Sequence, residues 1–348
     1  MKKGKTVKLT ICISGIAFLA GCLFMGRLMS QSVDEENNSA GVSMHGALHV
    51  EGSSLLDEEG KPVVLRGISS HGIMWYPRYL NGRAMEYLAE RGANVQRLAM
   101  YTEAYKGYLE YPQENLSYLY LGIETALAAD MYVIVDWHIL NDGNPNTHVE
   151  EAKKFFEEIS LHYSNHSKIL YEICNEPNGD TTWEDVAEYA KQVIPVIRKN
   201  APDSVVLVGL PNYCTDISGP IHEPLPYENV MYVLHKYVDM FVQKEADFYL
   251  LSQAVESGLP IFVSEWGMAH TEEKYFEPGT DLSKVVIYPE NAGSFLDYMN
   301  ENNISWCAWA LSNKNEVHGM FKQDSHKYSD WSEEDLTEYG RWVLDNLR

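Results

Sequence analysis

Two glutamates stand where acid and nucleophile chemistry could be done. Glu176 closes the run Ile169-Leu170-Tyr171-Glu172-Ile173-Cys174-Asn175-Glu176-Pro177, and Glu265 lies near the end of Pro260-Ile261-Phe262-Val263-Ser264-Glu265-Trp266-Gly267. Short apolar runs that stop at a polar residue and then a Pro or Gly have the pattern of buried parallel strands entering loops. In a closed (β/α)8 barrel the residues at the C-terminal strand ends point into the working face. Two carboxyl groups delivered there by two strands suit an acetal carbon, one protonating the departing oxygen while the other attacks. Either glutamate taken alone is equally well read as a solvated strand end.

The elements that must hold such a pair are visible as an alternation. Apolar strand candidates start near Val63, Asn94, Met131, Ile169, Ser204, Asn229, Pro260 and Ile304. Amphipathic stretches separate them at Arg83–Glu90, Leu116–Ala129, Glu150–His162, Trp183–Lys199, Asp247–Glu256 and Ala292–Glu301, and Glu333–Leu347 follows the last. The connection around Asp216–His222 is short and Pro-containing, enough for a brief helix only. Eight strands alternating with helices predict an α/β fold, a (β/α)8 TIM barrel forming a single catalytic domain. An open doubly wound sheet usually carries a Gly-rich phosphate turn, and Gly67-Ile68-Ser69-Ser70-His71-Gly72 does not fit that fingerprint.

Placing polar residues at these strand ends gathers more than the two glutamates. His71 and Trp75 follow the first strand, Arg97 and Tyr101 lie on the second, and Asp136-Trp137-His138 ends the third. Asn175 joins Glu176 on the fourth, His235 and Tyr237 end the sixth, and Trp309 and Lys314 belong to the eighth. Lone histidines are usually fillers, but a convergence of this size is poorly explained by solvated strand ends.

Composition narrows the partners. The chain of 348 residues carries a formal charge of -23, which disfavours nucleic acid because that binding needs clustered Lys and Arg. Neutral polysaccharides fit without strain, and 23 Tyr and 8 Trp supply flat faces of the kind that stack on sugar rings, although most must be packing residues. There is no His-Glu-x-x-His, and the stretch from Asp142-Gly143-Asn144-Pro145-Asn146 lacks the sixth-position Gly and the terminal Glu of a calcium loop. No metal and no cofactor are expected, since a two-carboxylate mechanism needs neither.

The N-terminus predicts export. Lys2, Lys3, Lys5 and Lys8 precede an uncharged stretch from Leu9 to Gly26. Within it, Leu19-Ala20-Gly21-Cys22 resembles a lipobox, which would make Cys22 a lipidation site; an uncleaved anchor and simple secretion are the other two fates. All three place the rest of the chain outside the cytoplasm, with membrane contact only through this segment. Residues 1–30 are thus read as signal peptide or anchor, 31–46 as a flexible acidic tether, and 47–348 as the catalytic domain, expected to be a monomer. Cys174, Cys214 and Cys307 are expected as buried free thiols.

These motifs together resemble glycoside hydrolase family 5, in its bacterial cellulase type. The matching segments are Val64–Gly72, Asn94–Tyr101, Val133–His138, Tyr171–Gly179 and Ser264–Gly267, in order across about Leu48 to Leu347. The resemblance implies Glu176 as acid/base and Glu265 as nucleophile, with retention at the anomeric carbon. It implies that Arg97 keeps Glu265 ionised, that Tyr237 orients it, and that Asn175 binds the sugar 2-hydroxyl. His138 and His235 would line the subsite of the cleaved sugar, with Trp309 as its floor. His71, Trp75, Tyr101, Lys314 and Glu316 match residues that hold the non-reducing side of the chain. Relatives often carry Trp where Tyr213 stands, on the leaving-group side, and an aromatic where Lys236 stands; Val238-Asp239-Met240-Phe241 also departs from the commoner loop.

The implied activity is endo-β-1,4-glucan hydrolysis, with soluble or amorphous glucan favoured because no separate carbohydrate-binding module is visible. β-Mannanase or xyloglucanase would use the same chemistry, and a glycan-binding surface lipoprotein without turnover is the reading from another class. A cytosolic aldolase-type barrel would want a Schiff-base Lys or a phosphate site.

Overall fold

The structure, a computed structural model, describes residues 42–164, 166–238, 248–268 and 287–348. The predicted export segment with Cys22, most of the tether, and Asp239-Met240-Phe241 lie outside the described residues. A short hairpin, β1 (His49–Glu51) with β2 (Ser54–Leu56), precedes eight parallel strands. These are β3 (Arg66–Ser70), β4 (Val95–Tyr101), β5 (Tyr132–His138), β6 (Ile169–Glu172), β7 (Val206–Gly209), β8 (Val230–Tyr237), β9 (Ile261–Gly267) and β10 (Ser305–Leu311). They close in sequence order, with β10 returning to β3. The predicted barrel is therefore the observed one.

Helices pack outside, and the sequence explains where most of them begin. Thr182 caps Trp183–Asn200 in a capping box with Asp185, and Asn81 caps Gly82–Glu90 through Ala84 N. The predicted Leu116 start is too late: the helix runs Pro112–Ala128, with Pro112 in the first turn where its missing N–H costs nothing. The last helix is Glu338–Asp345 and not Glu333–Leu347, because Leu336 bridges Phe321 and Thr337 becomes the N-cap. The short helix Ser218–His222 falls within the brief connection expected there. Helical structure already begins at Val42–His45, before the expected domain start at Ala47, and Val42 N donates to Asp130 O at 3.0 Å.

The barrel interior is layered, and the layering positions the site. At the N-terminal end Leu65, Val95, Tyr132, Ile134, Leu170, Leu207, Met231, Val233, Phe262 and Cys307 form one apolar cluster. Leu48 and Leu55, flanking and within the hairpin, belong to the same cluster and plug that end. Continuing up the strands at the period of two, the inward positions turn polar: Ser69, Arg97, Asp136, Glu172 and His235 are all buried. Register brings Ser69 beside Arg97, Asp136 beside Glu172, and His235 beside Glu265. Between Val233 and His235 the β8–β9 register shifts, so β9 spends an extra residue there, from Phe262 to Glu265. Such a bulge lets neighbours Ser264 and Glu265 both reach the interior, which strict alternation forbids. Gly209 is required where β7 passes β6, since a Cβ there would stand 1.9 Å from Cys174 O.

Candidate active site

Arg97 organises the polar layer. It is fully buried, and its Nε and Nη2 each donate at 2.8 Å to Glu172, a bidentate fork. Nη2 also reaches Asn175 Oδ1 at 2.7 Å and lies 3.0 Å from Asp136 Oδ2, and Nη1 reaches Ser69 Oγ at 3.1 Å and Glu265 Oε2 at 3.3 Å. The expected Arg97–Glu265 contact is present, but Arg97 pairs more closely with Glu172. One guanidinium thus serves three carboxyl groups, with Glu176 as a fourth nearby.

That imbalance sets the protonation of the site. Burial pushes Glu265 up to about 7, with the facing Glu176 adding to the rise and His235, Arg97 and the Tyr237 hydrogen bond opposing it. Burial also raises Glu176, against the pull of His138 and Arg97 and with Glu172 adding to the rise. An oxygen of Glu176, an oxygen of Glu265 and a nitrogen of His235 lie within 4.8 Å of one another. Two carboxyl groups at this distance titrate as a pair and share one proton over a broad range. The donors decide where it sits. Glu265 accepts from Arg97 and from the Tyr237 hydroxyl, whereas the direct partner of Glu176 is His235 Nδ1 at 2.7 Å. Burial lowers His235 to about 4, so that partner is a neutral imidazole at neutral pH. The anion therefore belongs on Glu265 and the proton on Glu176.

Of the residues singled out in the sequence, Glu176, Glu265, His71, Tyr101, His138, Tyr237, Trp309, Lys314 and Glu316 line one cavity of about 290 Å3, with Leu140 and His318. An adjoining cavity of about 250 Å3 shares His71, Tyr101, His138 and Lys314 and adds Trp75, Thr102 and Asp142. Trp309 stacks near His138 with centroids 5.6 Å apart, and Trp75 lies against Tyr101 at 4.7 Å. Lys314 Nζ is 2.5 Å from Glu316 Oε2 and 3.1 Å from His71 Nε2. Arg97, Asn175 and His235 are buried and line neither cavity. Asn175 is wholly buried and committed: its Nδ2 donates to Ile139 O at 3.1 Å and faces His138 Nε2 at 3.3 Å. Tyr213 stands apart, half exposed, on a left-handed turn where Asn212, Tyr213 and Cys214 all have φ near +55°. Tyr213 N donates to Pro177 O at 3.0 Å, so the turn abuts the end of the Glu176 segment.

Three contributors escaped the sequence reading. In the sequence Glu172 and Ser264 stand out only as strand residues, yet Ser264 Oγ donates to Glu172 Oε1 at 2.9 Å and meets His235 Nε2 at 3.0 Å. A glutamate inside an apolar run is itself a signal, because a buried charge demands a partner. His318 packs its ring 4.6 Å from Tyr237, and nothing in its local sequence marks it. The three thiols are buried and free as expected, and burial pushes Cys174 up, away from the thiolate form.

A (β/α)8 barrel presenting two raised, proton-sharing carboxyl groups at its C-terminal face is a glycoside hydrolase architecture. A family profile for cellulase (glycosyl hydrolase family 5) matches residues 56–315. The chain is 40% identical over 323 residues to endoglucanase A of Butyrivibrio fibrisolvens, covering 91% of this chain and 72% of that one. It is 39% identical over 311 residues to an endoglucanase of Clostridium saccharobutylicum, covering 89% of this chain and 66% of that one. The catalytic domain of Thermobifida fusca endoglucanase Cel5A superimposes with TM-score 0.79 at 33% identity, covering 88% of this chain and 98% of that domain. A variant of that domain in complex with cellotetraose superimposes with TM-score 0.78 at 32% identity, covering the same shares. The chain belongs to glycosyl hydrolase family 5.

Proposed function

We propose that this chain is a retaining endo-β-1,4-glucanase that cleaves internal bonds of cellulose-like or mixed-linkage glucans. The observation that carries the mechanism is the approach of Glu176 and Glu265, whose oxygens lie within 4.8 Å. Retaining sites hold the two carboxyl groups ~5 Å apart, whereas inverting sites need ~6.5–9.5 Å to seat a water between them. Glu265, ionised and aimed by Tyr237, attacks the anomeric carbon as the bond to the leaving oxygen breaks. Glu176 gives that oxygen its proton. The ester on Glu265 removes the neighbouring negative charge, so Glu176 becomes a stronger acid and its carboxylate can take a proton from water. The resulting hydroxide attacks the same carbon, frees Glu265 and restores the proton on Glu176.

The substrate reading is supported by the lining aromatics, by the charge of -23 and by the endoglucanase relatives. Trp309 forms the floor below the cleaved sugar, while His71, Trp75, Tyr101, Lys314 and Glu316 hold sugars on the non-reducing side. Among the described residues the buried Glu316 Oε1 has no hydrogen-bond partner, with His71 Nε2 standing 3.7 Å away, and a sugar hydroxyl would satisfy it. Tyr213 stacks on the leaving side. The N-terminal segment would carry this barrel outside the cytoplasm, tethered through Cys22 or an anchor, or released. Reducing-sugar release on carboxymethylcellulose, barley β-glucan, mannan and xyloglucan, each beside Glu265→Ala, tests the proposal. Activity on the first two that vanishes in the variant is expected; preference for mannan or xyloglucan overturns the substrate, and no release from any overturns the activity.

A further inference from the structure

The hydrogen bonds below the cavity fix more than positions; they fix where protons lie. Glu172 accepts both prongs of the Arg97 fork and has acceptor capacity only, so the contact of Ser264 Oγ with Glu172 Oε1 at 2.9 Å uses the hydroxyl proton. Ser264 Oγ then has only lone pairs left for His235 Nε2 at 3.0 Å, and that nitrogen must bring the proton. A neutral imidazole has one N–H, so Nδ1 is bare. It faces Glu176 Oε1 at 2.7 Å, a distance that two lone pairs cannot hold without a proton between them.

We propose that Ser264, held by Glu172 and Arg97, is a positioning residue that locks His235 as its Nε2–H tautomer and thereby keeps a proton on Glu176. The inference rests on reading Glu176 as the general acid. The lock acts on both forms of that carboxyl group. The acid form donates to the bare Nδ1, while the carboxylate form receives nothing from His235, so the acid is favoured. The opposite tautomer would place an N–H against Glu176 and stabilise the anion. The bulge in β9 makes the arrangement possible, since it turns Ser264 and Glu265 inward together.

Other groups bear on Glu176 and leave this reasoning intact. His138 and Asp136 face it from β5, Arg97 and Tyr101 from β4, Glu172 from β6, His235 and Tyr237 from β8, Glu265 from β9, and Cys214 from the turn after β7. His138 carries no proton toward Glu176 either: its Nε2 faces the Asn175 amide and its Nδ1 faces Asp136 Oδ2 at 2.6 Å. Of all these, only His235 has a ring nitrogen in hydrogen-bond contact with a Glu176 oxygen.

The test uses the full chain and two readouts. Nitrogen NMR of 15N-histidine protein, with His235 assigned from a His235→Gln spectrum, should show a protonated Nε2 and a bare Nδ1 at neutral pH. In the profile of kcat/KM on β-glucan against pH, Ser264→Ala should move the basic limb down by about one pH unit, because His235 can then turn its proton toward the carboxylate. Ser264→Thr, which keeps the hydroxyl, should leave that limb in place. A loss of packing alone would scale activity down without moving the limb. A protonated Nδ1 in the wild type, or an unmoved limb in Ser264→Ala, overturns the proposal. Glu176→Ala, assayed on an activated aryl cellobioside, separates the two failures. If that variant keeps the basic limb, the acid assignment fails and the lock with it; if the limb is lost there yet unmoved in Ser264→Ala, the lock alone fails.

Discussion

Tyr237→Phe removes one oxygen and leaves the ring, so it isolates the hydrogen bond to Glu265. The ring contact with His318 at 4.6 Å should persist. Glu265 is raised to about 7 chiefly by burial, and the Tyr237 hydrogen bond is one of the forces opposing that rise. A hydrogen bond to a charged group contributes about 1.5–3 kcal/mol, and one pKa unit corresponds to ~1.36 kcal/mol, so its loss should raise Glu265 by roughly one to two units. In the proposed mechanism Glu265 must be ionised to attack, so the acidic limb of kcat/KM moves to higher pH. At a pH below both limbs the variant should be slower by about ten- to a hundredfold, with partial recovery as pH rises. The assay is kcat/KM on barley β-glucan from pH 4 to 10, with a thermal melt at each end. An acidic limb that stays in place, or moves to lower pH, would refute the idea that Tyr237 acts by stabilising the carboxylate.

Other consequences follow from the same contacts. Arg97→Lys replaces a planar fork with a point charge and cannot satisfy Glu172, Asn175 and Glu265 together, so it should cost about 3–5 kcal/mol in a denaturant melt and nearly abolish turnover. His318 is held neutral by burial, which lowers it to about 3, while in the unfolded chain it titrates near its ordinary value. The unfolded state therefore binds the extra proton between these values, and stability falls as pH drops through ~6.5. His318→Gln removes that site, so on going from pH 7 to 4.5 the variant should lose ~2–3 kcal/mol less than wild type in parallel urea titrations. Tyr213→Gly should relieve a left-handed non-glycine position and stabilise the fold by about 1 kcal/mol. It should also raise KM on polysaccharide while sparing a small aryl cellobioside; an equal effect on both would remove Tyr213 from the leaving side.

Much of this was legible in the sequence because strands buried on both faces leave long apolar runs. The carboxylates at their ends then fell into place by topology alone. What stayed hidden depended on register and on three-dimensional pairing. Strict alternation says that Ser264 and Glu265 face opposite sides, and only the shift against β8 turns both inward. The family resemblance pairs Arg97 with Glu265, but the closer claim of Glu172 appears only when β4 and β6 are seen across the barrel. Amphipathic spacing overextends the final helix because it cannot see the bridge between Phe321 and Leu336. Tyr213 departs from the Trp common in relatives, yet its left-handed backbone carries no mark in residue type, since glycine is absent from Asn212-Tyr213-Cys214.

The central claim is that Glu265 forms a covalent bond to the sugar while Glu176 manages the proton. Incubation with a 2-deoxy-2-fluoro cellobioside bearing an activated leaving group slows breakdown of the glycosyl ester enough for mass spectrometry. The intact protein should gain one cellobiosyl unit, and peptide mapping should place it on Glu265, with no label in Glu265→Ala. Label on Glu176, or inverted product with no label at all, would contradict the assignment.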